Sequence, residues 1–130
     1  METSESVDYY ENDESHPISN VSTIDVEVRL ASGGRYLGIL IEMPLRDDLK
    51  SQRRLIRKIE NYINDLYSDV AVNEVEIPSG KHNLILLHLH PDSDSIIFDL
   101  AEKCKLWVEE CGVDFKIEIQ EKGVMNNFPD

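Results

Sequence analysis

The sequence predicts an α+β fold, a two-layer sandwich in which a mainly antiparallel sheet carries two helices on one face. Three observations lead there. Apolar and polar residues alternate over 24–30, 37–43 and 113–119, the period of half-buried strands. Apolar residues recur at three-and-four spacing over 49–66 and 97–111, the period of amphipathic helices. Clusters of Gly, Pro, Ser and Asp separate these stretches, as turns and helix starts require.

Each element has a local reason. Ile24, Val26, Val28 and Leu30 alternate with Asp25, Glu27, Arg29 and Ala31, which gives a first strand. Ser32-Gly33-Gly34 then supplies the positive-φ positions of a hairpin. Leu37, Ile39, Ile41 and Met43 continue the same face on the return, and Pro44 ends it because it lacks a ladder donor. Asp47 and Asp48 can cap a helix running to about Tyr67. Its buried stripe comprises Leu49, Leu55, Ile56, Ile59, Tyr62, Ile63 and Leu66. Val70–Ile77, the Pro78-Ser79-Gly80-Lys81 turn and His82–His90 predict a second hairpin. Pro91-Asp92-Ser93-Asp94-Ser95 offers several N-caps for a second helix, lined by Ile97, Leu100, Ala101, Cys104, Trp107, Val108 and Cys111. Gly112 stops it, and Val113, Phe115, Ile117 and Ile119 define a last strand.

The expected order is ββαββαβ. Without its first strand it is βαββαβ, similar to the split βαβ order of ferredoxin-like folds. Residues 1–22 carry six carboxylates, no Lys or Arg and no amphipathic period, so they predict a disordered acidic tail. Residues 23–122 then form a single α+β domain, and 123–130 a flexible C-terminal end. At 130 residues the chain supports one core and no large catalytic architecture. No apolar run is long enough to span a bilayer, and the first residues lack the basic-then-apolar order of a secretory signal.

Charge narrows the function classes. With 26 Asp and Glu against 13 Lys and Arg, the formal charge is −13. Such a surface repels phosphate backbones and anionic lipid, so neither direct nucleic-acid binding nor a membrane partner is expected. It favours encounter with a basic protein. Cys104 and Cys111 fall in one predicted helix, about 10 Å apart along its axis, too far to bridge. They read as reduced thiols, which suits a cytoplasmic location.

Three features are candidate sites. His88-Leu89-His90-Pro91-Asp92-Ser93-Asp94 places His88 and His90 on one strand face with Asp92 nearby and His82 at the same parity. The string resembles the HxHxDH zinc motif of metallo-β-lactamase-like hydrolases, but Asp94 stands where that motif has His. That family also has a longer chain and later ligands without counterpart here. The preferred reading is therefore outward-facing histidines and a capping Asp, with no cofactor. A basic stripe, Lys50, Arg53, Arg54, Arg57 and Lys58, has the spacing of a solvent-exposed helix side. It suits an acidic partner, the acidic tail folded back, or water alone. Finally, Tyr36, Leu40, Leu84 and Leu86 have the parity of a sheet face turned away from the helices.

No nucleophile elbow, phosphate loop or assembled acid–base pair occurs, so no enzyme is expected. The expected function is a non-catalytic protein-binding module. In size, charge and topology it resembles small acidic immunity-type or inhibitor proteins that neutralise a basic partner. Asp25, Glu27, Glu42, Asp114 and Glu118 would meet the partner's cations and Tyr36 would anchor the contact. The alternative is a homo-oligomeric structural or sensor domain, a homodimer in its simplest form, that self-associates through its open sheet face, with metal binding through the histidines as its minor variant.

Overall fold

A computed structural model describes residues 13–31, 33–73 and 83–119 of the chain. The elements are β1 (Val26–Arg29), β2 (Arg35–Leu40), α1 (Leu49–Asn73), β3 (Leu84–Leu89), α2 (Ser95–Glu110) and β4 (Asp114–Ile119). The strands lie in chain order, β1-β2-β3-β4. β1 is antiparallel to β2, whereas β2–β3 and β3–β4 are parallel. Each parallel step is joined through a helix, as a parallel crossover requires.

Alternation along the strands decides which layer each side chain enters. Leu37 and Ile39 of β2, Ile85, Leu87 and Leu89 of β3, and Phe115 of β4 are buried. They share one core with Leu55, Ile59, Tyr62, Ile63 and Leu66 of α1 and with Ile97, Ala101, Cys104 and Val108 of α2. Both helices therefore cover the same face. The α+β class and the two helices agree with the sequence reading.

The sheet itself is mixed rather than mainly antiparallel. α1 continues through Asn73, across the start of the strand expected at Val70–Ile77, and β3 pairs in parallel with both neighbours. Residues 74–82, which hold the expected turn and His82, lie outside the described residues. Among the described residues one strand stands between the helices, so the ferredoxin-like order is not found. The physical reason is twofold. A short apolar run such as Val70-Ala71-Val72 fits a helix or a strand equally by pattern. Leu84-Ile85-Leu86-Leu87, by contrast, is a near-continuous apolar run, the signature of a central parallel strand rather than a hairpin arm.

Two loops brace the ends of β2 and β3. Asp48 caps α1, its Oδ1 accepting the Ser51 N–H at 2.6 Å. Asp94 precedes α2 but turns its carboxylate elsewhere, accepting the Asp47 N–H at 2.7 Å and lying 3.5 Å from Arg46 Nη1. The Leu45 N–H donates to Ser93 Oγ at 3.0 Å, and the Asp94 N–H donates back to the Leu45 carbonyl at 2.9 Å. The loops after β2 and β3 thus bind each other.

Gly112 ends α2 at φ +85°. A Cβ added there meets nothing within 4 Å, so the cost of Gly112→Ala is backbone strain alone. That variant is expected to lose about 1 kcal/mol, read as a lowered midpoint of thermal unfolding.

Of the tail expected to be disordered over 1–22, residues 13–22 have a defined course. Residues 1–12 lie outside the described residues, as do 120–130, which include the expected flexible end. Residues 13–22 are packed on the domain, with Ile18 and Val21 only 2% and 1% exposed. Composition shows no period there because the segment is an irregular strap, anchored one residue at a time.

Candidate functional site

The face of the sheet opposite the helices is open. Strand register orders its side chains into rows: Val28, Tyr36, Leu84 and Asp114 in one, Val26, Gly38, Leu86 and Lys116 in the next, then Leu40, His88 and Glu118. Val26, Val28, Tyr36 and Leu40 are 40%, 49%, 37% and 41% exposed, and Leu84, Leu86 and His88 are half-buried. The first three strands therefore present an apolar stripe, and β4 borders it with exposed Asp114, Lys116 and Glu118. Gly38 lies at its centre. A Cβ there would come within 3.3 Å of Val26 Cβ, so glycine lets β1 lie close to β2.

The carboxylates expected on this face divide. Asp114 and Glu118 do border it, and Glu42 is exposed beyond the end of β2. Asp25 and Glu27 are instead bound within the domain. Asp25 accepts from Lys58 Nζ and from the Leu40 N–H, both at 3.0 Å. Glu27 accepts from Arg35 Nε at 2.9 Å and lies 3.0 Å from Arg29 Nε. The Arg35 guanidinium also reaches Asp65 of α1 at 2.5 Å. Burial alone would lower the Arg35 pKa, but these two carboxylates outweigh it and raise it. Sequence spacing could not disclose pairs formed across separate elements.

The basic stripe is also corrected. Arg54 is fully buried and Lys58 is 4% exposed, so the Lys50-Arg54-Lys58 line faces the strap and not solvent. Only Arg53 and Arg57 of the stripe stand exposed, with Arg57 3.4 Å from Glu60. Lys50 pairs with Asp13. Arg54 Nε donates to the Ile18 carbonyl at 2.7 Å. Lys58 Nζ donates to the carbonyls of Asn20 and Thr23 at 2.7 and 3.2 Å. Asn61 Nδ2 completes the series on the Val21 carbonyl at 2.9 Å. Sequence reasoning missed Asn61, His16 and Ser51 as members of this seam. The four-residue spacing of Lys50, Arg54 and Lys58 was the available signal, but it gives a line on a helix without saying what lies over it.

Electrostatics follow from these partners. The Lys50 ammonium and the Ser15 hydroxyl hold the Asp13 carboxyl well below the usual carboxylate range. Burial pushes the Tyr62 hydroxyl up; it donates to the Gly38 carbonyl at 2.6 Å and accepts the Asp25 N–H at 2.8 Å. Burial likewise pushes the Cys104 thiol up to about 11, which removes thiolate character at neutral pH. Both cysteines are free.

His88 faces Glu118 at 3.9 Å across the β3–β4 pair. His90 Nδ1 accepts the Asp92 N–H at 3.0 Å, which closes the turn into α2. Among the described residues no group of three or more His, Cys, Asp or Glu is placed to hold a metal ion, so His88, His90 and Asp92 are not brought together as ligands. No helix among the described residues is long and apolar enough to cross a membrane. No protein-family profile matches the chain, and neither a curated protein nor a solved structure matches it significantly.

Proposed function

We propose that the protein is a non-catalytic binding module that docks a basic protein on its open sheet face, in the manner of a small acidic immunity-type or inhibitor protein. One observation carries the reading: an apolar stripe built from Val26, Val28, Tyr36, Leu40, Leu84 and Leu86 lies on a chain of net charge −13. A single exposed apolar residue needs no explanation, but a contiguous stripe over three strands does. Tyr36 offers an aromatic anchor with a polar tip, the kind of residue in which interface energy concentrates. Asp114 and Glu118 along the border favour a partner rich in Lys and Arg, and the net charge accelerates encounter with it.

A second reading uses the same face. Asp114, Lys116 and Glu118 alternate in sign along β4. A two-fold-related copy can therefore set Lys116 against a carboxylate while the apolar stripes meet. Repulsion between two chains of −13 each opposes this pairing.

Sedimentation of the purified chain, followed by affinity capture from host lysate with the native chain and Tyr36→Ala in parallel, tests the proposal. The expected result is a monomer that captures one basic protein, released as salt rises. Tyr36→Ala is expected to weaken that complex by about 30-fold, equivalent to about 2 kcal/mol. Capture indifferent to Tyr36→Ala would remove the open face from the interface. A dimer dissolved by Leu86→Glu would establish self-association instead.

A further inference from the structure

We infer that residues 13–25 form a pH-operated strap whose catch is His16, held on α1 while the imidazole is neutral and loosened when it takes up a proton. The inference is independent of what docks on the open face. It rests on how the ring is engaged. His16 Nδ1 accepts the Ile18 N–H at 2.9 Å, and Nε2 lies 3.0 Å from Ser51 Oγ on α1. A ring that accepts at Nδ1 donates at Nε2, so the neutral tautomer satisfies both contacts. An imidazolium has no acceptor, and its N–H at Nδ1 would confront the Ile18 N–H. Protonation therefore breaks the bond beside Ile18, a strap anchor only 2% exposed.

The charges facing the ring work in the same direction on balance. Arg54 and Lys50 of α1 repel an imidazolium, while Asp13 of the strap and Asp48 at the helix N-terminus attract it. Asp13 is already paired with Lys50, and Asp48 accepts the Ser51 N–H. Burial is the largest influence and opposes the charge as well, so the His16 pKa falls below its ordinary 6.5. An open strap returns the ring to that ordinary value. The open form therefore binds the proton first, and the strap is fully held above about pH 6.5 and weakens as pH falls through it.

Release has a defined reach. The strap ends at Asp25, which accepts from Lys58 and from the Leu40 N–H and whose own N–H donates to Tyr62. Loosening it uncovers the Arg54 and Lys58 cations and frees the end of β2 at Leu40. An acid step would thereby turn a covered row of cations into an accessible one on an otherwise acidic chain.

The test uses the full chain. The His16 ring proton is titrated by NMR, and amide hydrogen exchange is compared at about pH 7.5 and about pH 5, each corrected for the intrinsic rate. His16 is expected to titrate below 6.5. Protection at Ile18–Val21 is expected to fall toward a limit of about tenfold per pH unit below that value, with Ile39 and Leu87, which exchange only when the whole domain opens, remaining the more protected at both pH values. In His16→Gln, which cannot titrate, strap protection is expected to be independent of pH. Titration at or above 6.5, unchanged strap protection at acid pH, or the same pH profile in His16→Gln would each overturn the inference. Should His16→Gln lose the strap altogether, the ring titration in the unaltered chain still decides.

Discussion

Leu87→Ala is expected to lower the stability of the domain by about 3–5 kcal/mol, whereas Leu86→Ala, the adjacent residue of β3, is expected to lose about 1 kcal/mol or less. Leu87 is fully buried, lies between Ile39 and Ile117 in the parallel register, and faces both helices. Truncating it removes the transfer energy of the deleted atoms and leaves a cavity that a sheet held on both sides cannot close. Leu86 points to the opposite face, where it is half-buried among neighbours open to water. Its truncation leaves a dent that solvent fills. Denaturant titration checks both through a shift of midpoint at unchanged slope. A loss at Leu86 as large as at Leu87 would mean that the open face is covered in solution, and would move the second reading of the function ahead of the first.

That contrast rests on a parity carried by the amino-acid sequence itself. Tyr36, Leu40, Leu84 and Leu86 separate from Leu37, Ile39, Ile85 and Leu87 because successive side chains of a strand point to opposite faces. The β1–β2 hairpin is legible in its position, because its alternation and its glycines sit within one short stretch, but not in its face: Val26 and Val28, expected on the side of Leu37 and Ile39, pair with Gly38 and Tyr36 on the open face. The direction of β3 is not legible. Its partners are β2 and β4, each reached through a helix, and nothing local to 84–89 distinguishes a parallel neighbour from an antiparallel one except the unbroken run Leu84–Leu87. The strap is less legible still. Ile18 and Val21 are isolated apolar residues in a polar stretch, and what holds them is a set of donors more than 30 positions away on α1. The same non-locality hides the roles of Asp25 and Glu27. Each has the pattern of a surface carboxylate beside a strand, and each is bound to a cation that another element brings to it.

Lys58→Met is expected to lower stability by about 2–4 kcal/mol and to release the strap at every pH. Lys58 is 4% exposed, and its ammonium donates to the Asn20 and Thr23 carbonyls and to Asp25 Oδ1. Methionine keeps the length and apolar body of the stem but supplies no donor. Two carbonyls and a carboxylate would then lack their cation in a place that water reaches poorly, and opening the strap is the way to hydrate them. Arg57→Met on the exposed side, where the guanidinium stands 3.4 Å from Glu60, is expected to change stability by less than about 0.5 kcal/mol. The pair separates buried from exposed cations on one helix. It also separates anchor from catch. If Lys58 holds the strap and His16 gates it, Lys58→Met at neutral pH should exchange its Ile18–Val21 amides as the native chain does under acid, with little further gain on acidification. If Lys58→Met is as stable and as protected as the native chain, Lys58 is not an anchor of the strap, which Arg54, Asn61 and His16 then hold without it.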